Sequence, residues 1–212
     1  MRYFTIALSA AFTSIVLVAC GGGSDVAPPS MTGSTLGQEG AVTPVLASYV
    51  TKLSGNIVNG TDYWKSPTVP GGTASQSIDG VTCLLNENYH VHAHLTIILD
   101  GGSLAVPSQI GLQGCAYEVH THDRSGILHV ETDQKKIFTL GQVFSLWGQP
   151  LSSTNIAGIT TKPLLVLFQD DGQIETFSGD PRSIELRHHR KIFLILGKVP
   201  ATVPNYLWPA DL

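Results

Sequence analysis

Between Tyr89 and Leu99 the chain changes character at almost every step. Tyr89, Val91, Ala93, Leu95, Ile97 and Leu99 are apolar or aromatic, and His90, His92, His94 and Thr96 stand between them. A period of two sends successive side chains to opposite faces of an extended strand. The segment therefore predicts a half-buried strand with one greasy face and one histidine face. Asp100-Gly101-Gly102 is a hairpin signal, Leu104 to Val106 the return strand, and Pro107 its close.

The same alternation recurs from Tyr117. Tyr117, Val119 and Thr121 share one face; Glu118, His120 and His122 share the other. Beyond a turn at Ser125-Gly126, Leu128 and Val130 oppose Ile127, His129 and Glu131. Two registers are open. One sets His122 opposite His129 and His120 opposite Glu131; a four-residue Asp123–Gly126 loop sets His120 opposite His129. Either keeps the imidazoles on one face, within reach of cross-strand neighbours. All eight histidines fall in three short segments, the third being His188-His189 in a turn between Arg187 and Arg190.

One helix is predicted, over Leu140–Trp147. Thr139 and Gln142 form a capping box, and Phe138 with Val143 a hydrophobic staple. Leu140, Val143, Phe144 and Trp147 make its apolar stripe, and Gly148 then Pro150 end it. Leu164 to Phe168, the Asp170-Asp171-Gly172 turn and Ile174 to Phe177 predict a third hairpin. Ile192 to Leu196, apolar throughout, predicts a central strand buried on both faces. Pro200, Pro204 and Pro209 mark a C-terminal tail lying over the surface with Tyr206 and Trp208 docked. The fold class is α+β: mostly antiparallel hairpins with one short helix packed on the sheet, and a β-grasp-like order by analogy.

The N-terminus carries Arg2 and an apolar run from Phe4 to Val18, too short for a spanning helix. The run ends in Leu17-Val18-Ala19-Cys20, which resembles the bacterial lipobox. That resemblance implies a signal peptide over 1–19, lipidation at Cys20 and anchoring in the bacterial cell envelope. Gly21, in place of an aspartate, points to the outer membrane, facing periplasm or exterior. Residues 20–44, rich in Gly, Ser, Pro and Thr, read as a flexible tether. Residues 45–200 read as one His-rich domain and 201–212 as its tail. The remaining cysteines, Cys83 and Cys115, are expected to pair in an oxidising compartment; thiolate metal ligation is the rival reading. A net charge of −4 without a basic run argues against nucleic acid.

Gathering six histidines into two ribbons serves no packing purpose, and imidazole is the commonest protein metal ligand. Residues i and i+2 of a strand lie about 6.6 Å apart, so a His-x-His pair chelates while three in a row do not. The expected metal ligands are His92, His94, His120, His122, His129 and Glu131. Further ligands, or partners that orient them, are His90, Asp123, Glu118 and His189. Imidazole with carboxylate suits Cu²⁺ or Zn²⁺. Met31, the one methionine beyond Met1, lies in the tether, which argues against a methionine-rich Cu(I) carrier. The rival readings are a metal-free hydrogen-bond network, a pH-sensitive one, and a site for another ligand. Whether the chain is an enzyme is open. It has no nucleophile elbow, phosphate-cradling loop or His-Glu-x-x-His helix, and a cupin fits its spacing poorly. The functions considered are therefore a lipid-anchored metal carrier, buffer or sensor, a metal-dependent enzyme, and a metal-free envelope interaction module.

Taken together, Cys83, His90-Val91-His92-Ala93-His94-Leu95, Cys115-Ala116-Tyr117, His120-Thr121-His122-Asp123, Ser125-Gly126-Ile127-Leu128-His129-Val130-Glu131 and Thr139-Leu140-Gly141-Gln142 with Phe144 and Trp147-Gly148 resemble an uncharacterised family of exported bacterial and archaeal proteins. The resemblance covers about Gly80 to Gly197. It implies export and a shared His-rich core, and no reaction. Glu118 departs from the aromatic or apolar residue usual in that family. It either adds a carboxylate beside His120 or is neutral drift.

Overall fold

The predicted histidine strand, Tyr89–Leu99, sits in the interior of the main sheet and organises what surrounds it. The computed structural model describes residues 43–67 and 76–212. The lipobox, Cys20 and the tether up to residue 42 lie outside the described residues. Among the described residues no helix is long and apolar enough to cross a membrane.

In chain order the strands are β1 (Val45–Lys52), β2 (Tyr89–Leu99), β3 (Gly102–Leu104), β4 (Val119–His120) and β5 (Ile127–Thr132). Helix α1 (Leu140–Trp147) follows, then β6 (Leu151–Ser152), β7 (Asn155–Ile156), β8 (Leu164–Asp170), β9 (Gln173–Phe177), β10 (Lys191–Leu196) and β11 (Thr202–Leu207). The main sheet runs β4-β5-β2-β10-β8-β9, with β3 also paired to β2. β2 and β10 are parallel, and the other pairs in this sheet are antiparallel. The class is α+β, as the patterning predicts, and the order is compatible with a β-grasp-like arrangement.

Local chemistry explains the boundaries. Asp100-Gly101 and Asp171-Gly172 take positive φ at both positions, the conformation that two-residue hairpins need. Helix α1 has the predicted ends. Gln142 Oε1 accepts the Thr139 N–H at 2.8 Å, and Gly148 closes the helix at φ 70°. The return strand β3 is shorter than expected, because Ala105 turns away to bond Thr61. β5 then takes over the edge of β2 from His94 back to Tyr89.

The sheet has two cores. Val91, Ala93, Leu95, Ile97, Val119, Leu128 and Val130 pack with Phe138, Leu140, Val143, Phe144 and Trp147 on the helix side. Burying any one of these larger aliphatic or aromatic side chains contributes about 1.5–3 kcal/mol. On the opposite face Ile98, Leu167, Phe193 and Ile195 pack under Leu53, Val203 and Tyr206. Those last three come from the ends of β1 and β11, which pair in parallel. The segment read as a docked surface tail is thus a strand. Pro204 fits because, among the described residues, β11 pairs with β1 alone and its other edge is unpaired.

The disulfide Cys83–Cys115 is formed, with Cα atoms 5.9 Å apart. Cys83 also bridges Tyr117, so it ties the segment leading into β2 to the segment leading into β4. β5 lies between those two strands.

Candidate metal centre

β2, β5 and β4 lie side by side. Their register sets His90 opposite Glu131, and His92 and His120 each opposite His129. This is the four-residue-loop register. Gly126 makes it possible: it adopts φ +89°, and a Cβ there would fall 2.4 Å from the Leu95 carbonyl oxygen and 3.0 Å from His94 Nε2. Gly111 does the same under β4, where a Cβ would come within 2.2 Å of the Val119 carbonyl oxygen.

His120, His122, His129 and Glu131 can each place one ligand atom within 4.8 Å of all the others. His120 Nε2 lies 3.3 Å from His122 Nε2 and 3.5 Å from Glu131 Oε1. His129 Nδ1 lies 3.5 Å from the same carboxylate oxygen. Four ligands about 2.05 Å from a tetrahedral zinc are about 3.3 Å from one another. Three of the six separations are therefore close to the edges of a metal tetrahedron, and the others lie within 4.8 Å. His90, His92 and His129 form a second group that could hold a metal, and Glu87, His90 and Glu131 a third.

Protonation sharpens the point. A carbonyl oxygen only accepts, so the 2.8 Å contact from His120 Nδ1 to the Tyr117 carbonyl puts a proton on Nδ1. In neutral His120 the Nε2 lone pair then faces Glu131 and His122. Glu131 is an anion here: contacts from His120 and His129, in that order, hold its carboxyl well below the usual carboxylate range. Acceptors converge on one point, and a cation, either a proton or a metal ion, is what such an arrangement lacks.

His92 is buried and lies 3.2 Å through Nε2 from His129 Nδ1. Burial first, then His129, His90 and His188, push its pKa down to about 3. His122 is likewise lowered by burial and then by His129 and His120. Neutral imidazole is the form that binds metal. His90 is exposed, at 36% for its side chain, with Nδ1 2.6 Å from Glu87 and Nε2 3.3 Å from Glu131. Beside His122 opens a cleft of about 250 Å³ lined also by Asn56, Ser108, Asp123 and Arg124.

Four expected participants are placed elsewhere. His94 shares a face with His92 but, among the described residues, belongs to no group that could hold a metal. Its Nε2–H donates to the Ser125 carbonyl at 3.0 Å, Thr96 Oγ1 lies 3.4 Å from Nδ1, and the Tyr206 ring covers it at 4.5 Å. Burial pushes its pKa down to about 4. His189 donates Nε2–H to the Leu212 carbonyl at 2.9 Å and stacks on Trp208. Its backbone N–H, however, donates to the His92 carbonyl at 2.7 Å. Glu118 is held by Thr82, Thr132 and Lys136. Burial works to raise its pKa, and those three partners outweigh burial and lower it. Asp123 makes a local turn, accepting the Ser125 N–H at 2.8 Å and the Asn56 N–H at 2.5 Å.

Glu87 is the group member that sequence reading misses. Its position three residues before His90, at the mouth of the strand, was the available signal. Trp208, 6.3 Å from His92 and 6.4 Å from His94, is a wall of the site supplied by the C-terminal segment. No family model, curated protein or solved structure matches the chain.

Proposed function

We propose that this chain is a lipid-anchored protein of the bacterial envelope that holds a transition metal, as carrier, buffer or sensor. The ion sits among His120, His122, His129 and Glu131. The observation that carries this reading is the three separations of 3.3–3.5 Å among their ligand atoms, together with the His120 Nε2 turned on an anionic carboxylate. Of the two metals the residue types favour, Zn²⁺ suits these spacings better. The same arms in a square plane, the preference of Cu²⁺, would bring neighbouring ligands to about 2.9 Å. Equilibrium dialysis with elemental analysis of the tag-free protein tests it. Zinc is retained by the wild type, and His122→Ala lowers affinity tenfold or more without loss of fold. Unchanged binding in His122→Ala would remove the reading.

Anchoring rests on the Leu17-Val18-Ala19-Cys20 sequence. Cys20→Ala should abolish incorporation of labelled fatty acid and release the chain from membranes. A second reading, a metal-dependent enzyme, is favoured by the cleft beside His122, which gives a small substrate a route to the ion as a fifth ligand. Turnover lost together with the metal would select it over a carrier.

A further inference from the structure

We infer that the site takes a second metal ion, held by Glu87 and His90 and joined to the first through Glu131, three residues that form one group able to hold an ion. The inference rests on the metal-binding reading above and extends it. One tetrahedral ion uses His120, His122, His129 and Glu131. Three of the side chains in the overlapping groups are then left over: Glu87, His90 and His92.

These three are not spare surface residues. His90 stands between two carboxylates, with Nδ1 2.6 Å from Glu87 Oε1 and Nε2 3.3 Å from Glu131 Oε1. On the opposite flank His120 Nε2 lies 3.5 Å from the same Glu131 oxygen. Glu131 therefore stands between imidazoles from both neighbouring strands. A carboxylate has two oxygens and about four lone-pair directions, enough to touch two cations. His92, its ring 4.5 Å from that of His90, lines the same flank. With both rings neutral, the inward nitrogens of His90 and His120 and the Glu131 oxygen are acceptors facing one another, and a cation, either a proton or a metal ion, is what joins them.

The two positions differ in access. Four side chains surround the inner position, whereas the outer one has three, of which Glu131 is shared and His90 is 36% exposed at its side chain. The outer ion therefore has fewer protein ligands and more water, and binds more weakly. Glu131 and Glu87 offset the repulsion between two dications.

The test is stoichiometry. The full-length, tag-free chain, purified in detergent, is dialysed against buffered Zn²⁺ and analysed for metal per chain. Two ions are expected, the second released at the lower chelator strength. His90→Gln, a substitution at the open end of β2, should bind one ion and keep the tighter affinity. His122→Gln, also exposed, should weaken the tighter ion while His90 stays in place. One ion per wild-type chain would overturn the inference and leave the single-site reading standing. No ion would remove both. Two ions surviving in His90→Gln would overturn the placement of the second.

Discussion

His94 and His120 are the two deepest histidines of this face, and their second nitrogens meet opposite company. Their exposures are 0% and 2%, and each gives one ring N–H to a backbone carbonyl. The other nitrogen of His94 is 3.4 Å from a hydroxyl, which donates. The other nitrogen of His120 meets a carboxylate and a second imidazole. His94 is a satisfied core residue; His120 presents a lone pair that calls for a cation. The contrast teaches that burial and motif membership do not separate a ligand from a structural histidine. The chemical character of the second partner does.

Exchanging the two should give the largest effect. His120→Ala removes one of four ligands, about a quarter of the roughly 10–16 kcal/mol that structural zinc sites supply, or about a hundred- to a thousandfold in Kd. His94→Ala should leave Kd within about threefold, yet cost about 2–4 kcal/mol of stability through the cavity and lost hydrogen bonds. Calorimetry with Zn²⁺ and urea unfolding measure the two quantities. Comparable losses of affinity in both variants would erase the distinction.

The alternation of β2 and β5 separated the two faces correctly, because each apolar position has a core partner on the helix side, but the half-buried strand it predicts is buried on both faces, His92, His94 and Thr96 included. The capping box and Gly148 placed α1 because helix ends are decided locally. The fate of His94 was not legible. It depends on Tyr206 and Asn59, whose side chains bond each other at 2.7 Å although they lie 147 residues apart in sequence. The β1–β11 pair was hidden for the same reason: parallel partners at the two ends of the domain leave no turn signal, and Pro204 reads as a breaker. The grouping of His120, His122, His129 and Glu131 was within reach of strand geometry. Choosing between the two registers required Gly126 to be seen against Leu95.

The disulfide should act on one side of the comparison. Cys83 pairs with Tyr117, whose carbonyl fixes the His120 tautomer, while His94 is held by Ser125 and Tyr206. Cys83→Ser with Cys115→Ser releases a closed loop with a sequence separation of 32 and should cost about 3–4 kcal/mol. Zinc affinity should fall as well, since His120 loses its brace. A stability loss with unchanged affinity would show that Tyr117 holds its place without the bridge.

Acid should act on the other side. The pKa of His94 is depressed from 6.5 to about 4. Between those values the unfolded chain binds a proton that the native chain refuses, so stability is fully present above pH 6.5 and is lost as pH falls to about 4. The window is worth about 3 kcal/mol. His92, lowered to about 3, contributes in the same direction. The informative quantity is therefore the difference between metal-free wild type and His94→Gln in urea unfolding across this range. Superimposable pH slopes would mean that His94 titrates normally.

The smallest expected effect isolates the hydroxyl that distinguishes the two histidines. Thr96→Val keeps the shape of the side chain and removes the Oγ1 near His94 Nδ1 and the Tyr206 hydroxyl. The loss should be about 1 kcal/mol of stability, the worth of one buried hydrogen bond, with zinc affinity unchanged. His94 Nδ1 would then be an unpartnered acceptor inside the fold, the condition of His120 Nε2 without its cation. If the variant instead bound an additional ion, the orientation of a single hydroxyl would be what kept His94 out of the metal centre.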